Sequence, residues 1–262
     1  MFAVLTLLVP LAVVLLVGLA LAARVGHVEL GRVPGTSWLW RPEAGFGSRV
    51  LTAIAILLVG PGIAILIGWP LGRLAKSLEG SVDRPILRTM TSHHLSGLWT
   101  STARVGTQTG NRPEMQVLTL VSAAVLAVWL WRTGRRWWVP LVAGPATYLM
   151  EKYGQHYLGL LVHRGHPPTT LGTWPSGGVA RLIVVGGLIV FMVARYAHAE
   201  RRTAVLGFTL VALLTTVEGY CRTYLLQHWF TDVLGGVVFG LPVLLAGMAL
   251  VVTLDPAPDA RA

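Results

Sequence analysis

Two strongly apolar segments of the chain are joined by the stretch Cys221-Arg222-Thr-Tyr-Leu-Leu-Gln-His228-Trp-Phe-Thr-Asp232-Val-Leu-Gly-Gly236. An arginine, a histidine and an aspartate therefore stand at fixed offsets where polar groups are costly, which indicates a functional site. An arginine that holds an anion, a histidine that attacks it and an aspartate that orients the histidine would form a site for phosphoryl transfer.

The apolar segments on either side of this stretch belong to a larger set. The chain has 262 residues, is 54% hydrophobic and is only 12% charged, whereas a soluble domain carries about 25% charged residues. Several apolar runs approach the roughly 20 residues that span a bilayer. We therefore predict an all-α, polytopic membrane bundle rather than a soluble domain. The seven segments are approximately 2–23, 50–70, 116–132, 138–162, 179–197, 203–225 and 232–253.

The first of these segments, 2–23, resembles a signal peptide in ending near Ala20-Leu21-Ala22. We expect a retained helix, because the apolar stretch is long and no basic residue precedes it. The predicted organisation is thus an N-terminal helix and cytoplasmic loop over 1–49, a membrane domain over 50–254 and a disordered tail over 255–262.

The net charge of +10 arises mostly from arginines that flank the apolar segments. They are typical of topology signals and headgroup contacts, so we expect membrane lipids as partners and no nucleic acid. Loop 71–115 is basic as well, and we expect an interfacial helix around 84–99. By the positive-inside rule, the cytoplasmic segments are 24–49, 133–137, 195–202 and the tail, and the outer loops are 71–115, 163–178 and 226–231.

A second stretch, Trp174-Pro175-Ser176-Gly177-Gly178, precedes the fifth segment on the same predicted side. Free backbone N–H groups at a helix start bind anions, and two glycines let a phosphate approach the backbone closely. Each feature taken alone also has an ordinary explanation: an interfacial histidine, an arginine that anchors a helix, a turn with an N-cap. The combination of both stretches on one membrane face favours the chemical interpretation.

The two stretches together resemble motifs of the type 2 phosphatidic acid phosphatase superfamily, which are integral membrane lipid phosphatases. The third motif of that family, Ser-Arg, five residues, His, three residues, Asp, corresponds to Cys221-Arg222, His228 and Asp232. The second motif, Pro-Ser-Gly-His, corresponds to Pro175 to Gly178. The first, Lys, six residues, Arg-Pro, is poorly matched, with Gly159, His166 and Pro167 at its positions. The resemblance covers about residues 50–253 and implies a six-helix core, here with one extra N-terminal helix.

The resemblance also implies roles for individual residues. His228 would be the nucleophile that forms a phosphohistidine, and Asp232 would orient it. No cofactor and no metal ligand set is expected. The implied phosphate-binding residues are Arg222, Ser176, Gly177 and Gly178, with Arg164 and His166 replacing the lost basic pair; Arg181 is a further substitute. Glu151 and Glu218 are expected to form structural ion pairs rather than to act in catalysis.

The departure at Gly178 has a chemical consequence. The family's histidine at this position protonates the leaving group, and general acid catalysis contributes about 10²–10⁴-fold. We therefore expect slow cleavage of an alkoxide leaving group, unless His163 or His166 donates the proton, and less need of an acid for a pyrophosphate. We also expect Gly178→His to gain activity over the parent.

These observations favour a phosphatase that hydrolyses a lipid phosphate or polyprenyl pyrophosphate at the outer face of a bacterial plasma (inner) membrane. The partner would be the phosphorylated lipid or polyprenyl carrier. One alternative is a catalytically impaired relative that binds phospholipid or transfers a phospho-group to an acceptor other than water. Another is a transporter or structural membrane protein in which these residues are interfacial. The sequence does not indicate an oligomeric state.

Overall fold

The computed structural model describes residues 46–92, 97–168 and 173–256. The predicted N-terminal helix over 2–23, almost all of the predicted cytoplasmic loop and most of the tail lie outside these residues. The described part is all-helical, with 84% of its residues in helices and no strand. The prediction of an all-α membrane bundle is thereby confirmed.

Eight helices follow one another along the described residues. The helices are α1 Phe46–Ser77, α2 Arg84–Ser92, α3 Gly97–Gly106, α4 Arg112–Arg132, α5 Trp138–Val162, α6 Gly177–Tyr196, α7 Arg201–Tyr224 and α8 Phe230–Leu254. Two π-helical turns, Glu79–Asp83 and Leu182–Gly186, lie before α2 and inside α6.

Five of these described helices, α1, α4, α6, α7 and α8, are long and apolar enough to cross a membrane. Together with the 25-residue α5, they correspond to the second to seventh apolar segments of the sequence. Helix α5 is more polar because Glu151-Lys152 and Gln155-His156 interrupt its apolar run. The six-helix core is therefore present, and five of its helices have the composition of a membrane span.

The interfacial helix predicted around 84–99 corresponds to two short helices, α2 and α3. Met90 of α2 and Ala103 of α3 are buried against Cys221 and Tyr224 near the end of α7. This packing holds the α2–α3 segment over one end of the bundle, next to the turn between α7 and α8 that carries His228.

Helix α8 occupies the centre of the bundle and packs on α1, α5 and α6. Its side chains Phe239 and Val243 have no exposed surface. Helix α1, by contrast, exposes large apolar side chains such as Leu58 and Leu66, which are 71% and 72% accessible. Exposed apolar surface of this kind along a helix is typical of a face that contacts lipid.

The two ends of the bundle differ in chemistry. At one end, arginine side chains cap the last carbonyl groups of helices: Arg135 donates to the Tyr196 carbonyl oxygen at 2.7 Å, and Arg136 to that of Leu254 at 2.8 Å. The two sequence stretches singled out above lie at the other end, where α6 and α8 begin and α7 ends.

Candidate functional site

His228 and Asp232 lie where the chain turns from α7 into α8. The two are brought together by a helix start rather than by one helix face, since His228 precedes α8 and Asp232 lies in its first turn. His228 is buried, and its Nδ1 lies 3.6 Å from Asp232 Oδ2, just beyond hydrogen-bond length. Such contacts are often long when no substrate is bound.

The carboxylate of Asp232 is fixed from two sides. Arg164 Nη1 donates to Oδ1 at 2.8 Å, and the backbone N–H of Trp229 donates to Oδ2 at 3.2 Å. The second bond is a capping interaction at the start of α8. The carboxylate consequently presents Oδ2 to the imidazole of His228.

Burial lowers the pKa of His228 below its ordinary value of 6.5, and the positive charges of Arg222 and Arg181 act in the same direction. The carboxylate of Asp232 opposes them by favouring the imidazolium. The balance keeps the imidazole neutral at neutral pH, which is the form that can act as a nucleophile.

The second stretch contacts the first through a backbone bond. The N–H of Ser176 donates to the carbonyl oxygen of Asp232 at 2.9 Å. Helix α6 begins directly afterwards with Gly177 and Gly178, both buried. The first turn of a helix leaves its N–H groups without partners inside the helix. The Ser176 hydroxyl is also buried, and its Oγ makes no hydrogen bond within the described part of the chain. These donors are suited to an anion.

Arg222 completes this group from the last turn of α7. Its Nε donates to Glu218 Oε1 at 2.6 Å, and its Nη2 donates to the Thr107 carbonyl and to Asn111 Oδ1 at 3.2 and 3.1 Å. Its Nη1 has a weaker contact of 3.5 Å with Gln227 Oε1. The guanidinium is thus held in one orientation, with Nη1 the least engaged of its nitrogens.

These residues are connected mainly through the backbone. The N–H of Ser176 donates to the Asp232 carbonyl, the Asp232 carboxylate faces His228, and the backbone N–H of His228 donates to the Arg222 carbonyl at 3.4 Å. The sequence motifs therefore converge on a single buried site that holds a neutral imidazole, an arginine fork and a helix start.

Two comparisons with known proteins found a match. Residues 144–255 match the family model of the PAP2 superfamily. A transmembrane PAP2-type phosphatidylglycerolphosphate phosphatase from Bacillus subtilis has a similar fold, with a TM-score of 0.62 and 17% sequence identity, over 77% of this chain and 98% of that one. No curated protein matches the chain. The shared fold and the five apolar helices support a protein that is integral to the membrane.

The position of the missing PAP2 histidine is occupied by other side chains. A Cβ atom on Gly178 would lie 2.5 Å from Arg222 Nη2 and from Glu218 Oε1, and closer still to Arg222 Nε. The ion pair between Glu218 and Arg222 therefore fills the space next to this glycine. The expected gain of activity in Gly178→His is not supported, because the new side chain would have to displace the pair.

Arg164, assigned from the sequence to phosphate, has other partners. Its side chain has no exposed surface, and it lies between the carboxylates of Asp232 and Asp83. It also donates to Thr231 Oγ1 at 2.6 Å. The guanidinium is directed at α8 and at the turn before α2.

The two histidines considered as substitute acids lie in the exposed loop after α5. His163 ends that helix in a left-handed conformation with φ of 45°, and its carbonyl accepts from Lys76 Nζ at 3.0 Å. The ring of His166 donates from Nδ1 to the carbonyl of Pro167 at 2.7 Å. The same loop contacts the residue after His228: the Nε1 of Trp229 donates to the Gly165 carbonyl at 3.0 Å.

Arg181 lies at the end of the first turn of α6, the turn that begins with Gly177 and Gly178. Its Nε donates to the Gly110 carbonyl at 3.0 Å, and its Nη1 is 3.6 Å from Glu151 Oε1. A Cβ atom on Gly177 would lie 2.8 Å from Nη1. Both buried carboxylates that were expected in ion pairs thus face arginines: Glu151 faces Arg181, and Glu218 is bonded to Arg222.

Sequence reasoning missed Asp83 and Asn111, which contact Arg164 and Arg222. Both come from the loop between the first two core helices, more than 80 residues before Arg164 in the case of Asp83. Asp83 is one of three carboxylates in the basic loop 71–115, and nothing in its spacing pointed to α8.

Proposed function

We propose that this protein is a membrane phosphatase that hydrolyses a lipid phosphate or polyprenyl pyrophosphate through a phosphohistidine at His228. The observation that carries the proposal is the buried imidazole of His228 beside the carboxylate of Asp232, a residue whose carbonyl accepts the N–H of Ser176 directly before α6 begins. The match of residues 144–255 to the family model of the PAP2 superfamily supports the same chemistry.

The proposed reaction has two steps. In the first, His228 Nε2 attacks phosphorus, a P–N bond forms and the P–O bond to the leaving group breaks. The Nδ1 proton stays between the ring and Asp232, whose negative charge stabilises the resulting cationic ring. In the second step, water attacks phosphorus, the P–N bond breaks and inorganic phosphate leaves.

The phosphoryl oxygens would be held by groups at the start of α6 and the end of α7. Ser176 Oγ and the N–H groups of Gly177 and Gly178 offer neutral donors, and Arg222 Nη1 offers a cationic one. Arg181 takes the place of the basic pair missing from the first motif, since it lies beside Gly177 and close enough to His228 to lower its pKa. Several fixed donors directed at the developing charge are the main catalytic element in phosphoryl transfer.

The space next to Gly178 bears on the substrate. Residue 178 is a glycine rather than a histidine, and the Glu218–Arg222 ion pair fills the space beside it. No side chain at this position can therefore protonate the leaving oxygen. When a lipid pyrophosphate is attacked at its terminal phosphorus, the lipid monophosphate leaves as an anion and does not need that proton, whereas an alkoxide leaving group does need it. We infer that lipid pyrophosphates are cleaved faster than simple phosphomonoesters.

The proposed site faces the outside of a bacterial plasma membrane. Support comes from the opposite end of the bundle, where the arginines of loops 133–137 and 195–202 cluster. Short loops rich in arginine stay preferentially on the cytoplasmic side. We give them more weight than the basic residues of the long loop 71–115, whose short helices are assigned to the membrane surface, and we therefore infer that the end that carries His228 is the outer one.

The test is a phosphate-release assay on the full chain in detergent, with phosphatidic acid, phosphatidylglycerol phosphate and polyprenyl pyrophosphate as substrates. We expect release that is fastest from the pyrophosphate and that is abolished in His228→Ala. The matched control is His156→Ala, an exposed histidine on α5, which should retain full activity. Equal release by the parent and by His228→Ala would refute the proposal.

The filled space at Gly178 also favours a second candidate, the impaired relative that binds phospholipid or phosphorylates another acceptor. In the same assay it predicts tight binding of the lipid by the parent without phosphate release. Release that appears only when an alcohol acceptor is supplied, as a new phosphomonoester, would distinguish transfer from simple binding.

A further inference from the structure

We propose that Asp83 and Arg164 are positioning residues for the proposed reaction: Arg164 holds the carboxylate of Asp232, and Asp83 holds Arg164 in place. The inference rests on the proposed function, because Asp232 matters through its effect on His228. It assigns a function to a carboxylate outside the three motifs and to an arginine that the sequence had suggested for phosphate.

The guanidinium of Arg164 works as a fork between two acids. One nitrogen, Nη1, donates to Asp232 Oδ1 at 2.8 Å, and the other, Nη2, donates to Asp83 Oδ2. All three side chains have no exposed surface. Each end of the fork is thus committed to a carboxylate inside the protein, in a geometry that arginine favours.

Asp83 is anchored to the start of α8 independently of the arginine. Its Oδ1 accepts the backbone N–H of Thr231 at 3.0 Å, and its Oδ2 accepts the Thr231 hydroxyl at 2.8 Å. Since Thr231 lies in the first turn of α8 and precedes Asp232 directly, Asp83 satisfies an N–H group that the helix itself leaves free. The π-helical turn that carries Asp83 is therefore tied to the helix that carries Asp232.

The charges explain why the three residues act together. The buried cluster holds two carboxylates and a single guanidinium, so removal of Arg164 would leave two negative charges unpaired in the interior. Arg164 also determines which oxygen of Asp232 is directed at the imidazole. Because Oδ1 is bonded to Arg164, Oδ2 is the oxygen that faces His228 Nδ1. A phosphate contact would require the guanidinium to abandon one of these partners.

The first test separates positioning from phosphate binding. Arg164→Lys and Asp83→Asn are purified as full chains, and kcat, KM and the inhibition constant of inorganic phosphate are measured. We expect kcat to fall about 100-fold, as for a small displacement of a reacting group, with the phosphate inhibition constant unchanged. A phosphate inhibition constant that rises in step with the loss of kcat would overturn the inference.

A double variant tests whether the two residues act through one another. In Asp83→Asn/Arg164→Gln one negative and one positive charge are removed together, so this protein should have a higher melting temperature than Arg164→Gln alone. Its kcat should be no lower than that of Arg164→Gln, because both substitutions release the same carboxylate. Losses of kcat that multiply would contradict a common action.

Two further variants keep the inference testable if a buried substitution prevents folding. Thr231→Val keeps the backbone N–H but removes the hydroxyl shared by Asp83 and Arg164, and it should lower kcat several-fold with the phosphate inhibition constant unchanged. Arg84→Gln removes an exposed arginine next to Asp83 that pairs with Glu79, and it should leave kcat unchanged. Full activity in Thr231→Val, Asp83→Asn and Arg164→Lys would sink the inference.

The parent and His228→Ala are measured alongside. If the parent releases phosphate, His228→Ala does not and the positioning variants match the parent, the present inference fails while the proposed function stands. If the parent shows no turnover dependent on His228, the proposed function fails and this inference fails with it.

Discussion

The neutrality of one imidazole determines how the proposed site responds to acid. The pKa of His228 is lowered by burial and, further, by Arg222 and Arg181. In the unfolded chain the same ring takes up a proton at about pH 6.5. Since the folded ring resists that proton, the loss of stability begins as pH falls below the unfolded value. Loss of the neutral nucleophile requires a lower pH still.

The pH dependence of catalysis tests this account. We expect kcat/KM to stay level as pH falls to 6.5 and to decline only at lower pH, where the folded imidazole becomes protonated. Arg181→Gln removes a positive charge that opposes protonation, so its acid limb should move to higher pH. Arg181→Lys keeps the charge and serves as the control, and the ionisation of the substrate is common to all three proteins. An acid limb that is the same in Arg181→Gln as in the parent would show that the decline does not arise from His228.

Substitutions at Gly178 test the packing between the first turn of α6 and the Arg222 side chain. We expect both Gly178→Ala and Gly178→His to lose activity and about 1–3 kcal/mol of stability, because an added side chain must displace the guanidinium of Arg222. Gly165→Ala is the matched control, since a Cβ atom there meets nothing within 4 Å. Phosphate release and thermal unfolding in detergent measure the two effects. A faster enzyme in Gly178→His would mean that the Glu218–Arg222 pair moves aside readily.

At the scale of elements, the site depends on how closely α8 approaches the segment before α6. A Cβ atom on Gly236 would lie 2.5 Å from the Ser176 carbonyl oxygen, and one on Gly235 would collide with the indole of Trp174. The absence of side chains at these two positions lets the first turns of α8 lie against the Trp174-Pro175-Ser176 segment. That approach is what permits the bond between Ser176 N–H and the Asp232 carbonyl.

Gly236→Ala should therefore separate the two elements. We expect a loss of about 1–3 kcal/mol in stability from overpacking, together with a fall in kcat, because Ser176 and Asp232 move apart. Gly62→Ala, on the exposed face of α1 where a Cβ atom meets nothing within 4 Å, should leave both quantities unchanged. Equal behaviour of the two variants would show that the contact is not required.

The helices of the core can be predicted from the sequence, but several contacts between them cannot. Six core helices follow from apolar runs of bilayer length, and the pairing of His228 with Asp232 follows from their separation by four residues, although the structure forms it at a helix start rather than on one helix face. Asp83 and Arg164 are far apart in sequence and meet only through the packing of the α1–α2 turn on α8. The obstruction at Gly178 likewise arises from a side chain of α7. Contacts of this kind are set by tertiary packing, which local spacing does not encode.

For the whole molecule, the separation of chemistry between the two ends of the bundle predicts an orientation. A membrane-impermeant thiol reagent should label Gly80→Cys in right-side-out vesicles and should not label Arg202→Cys until the vesicles are opened. Both positions are exposed, and the native Cys221 is buried, so its background is low. Labelling of Arg202→Cys alone in sealed vesicles would place the site on the cytoplasmic side.

The central claim is that His228 becomes covalently phosphorylated, and rapid quenching with a radiolabelled lipid pyrophosphate tests it most directly. We predict that label appears on the parent protein within one turnover, that it is labile to acid but stable to base, and that it maps to the peptide containing His228. His156→Ala should be labelled equally and His228→Ala not at all. Label on another residue, or phosphate release without any labelled protein, would contradict the account.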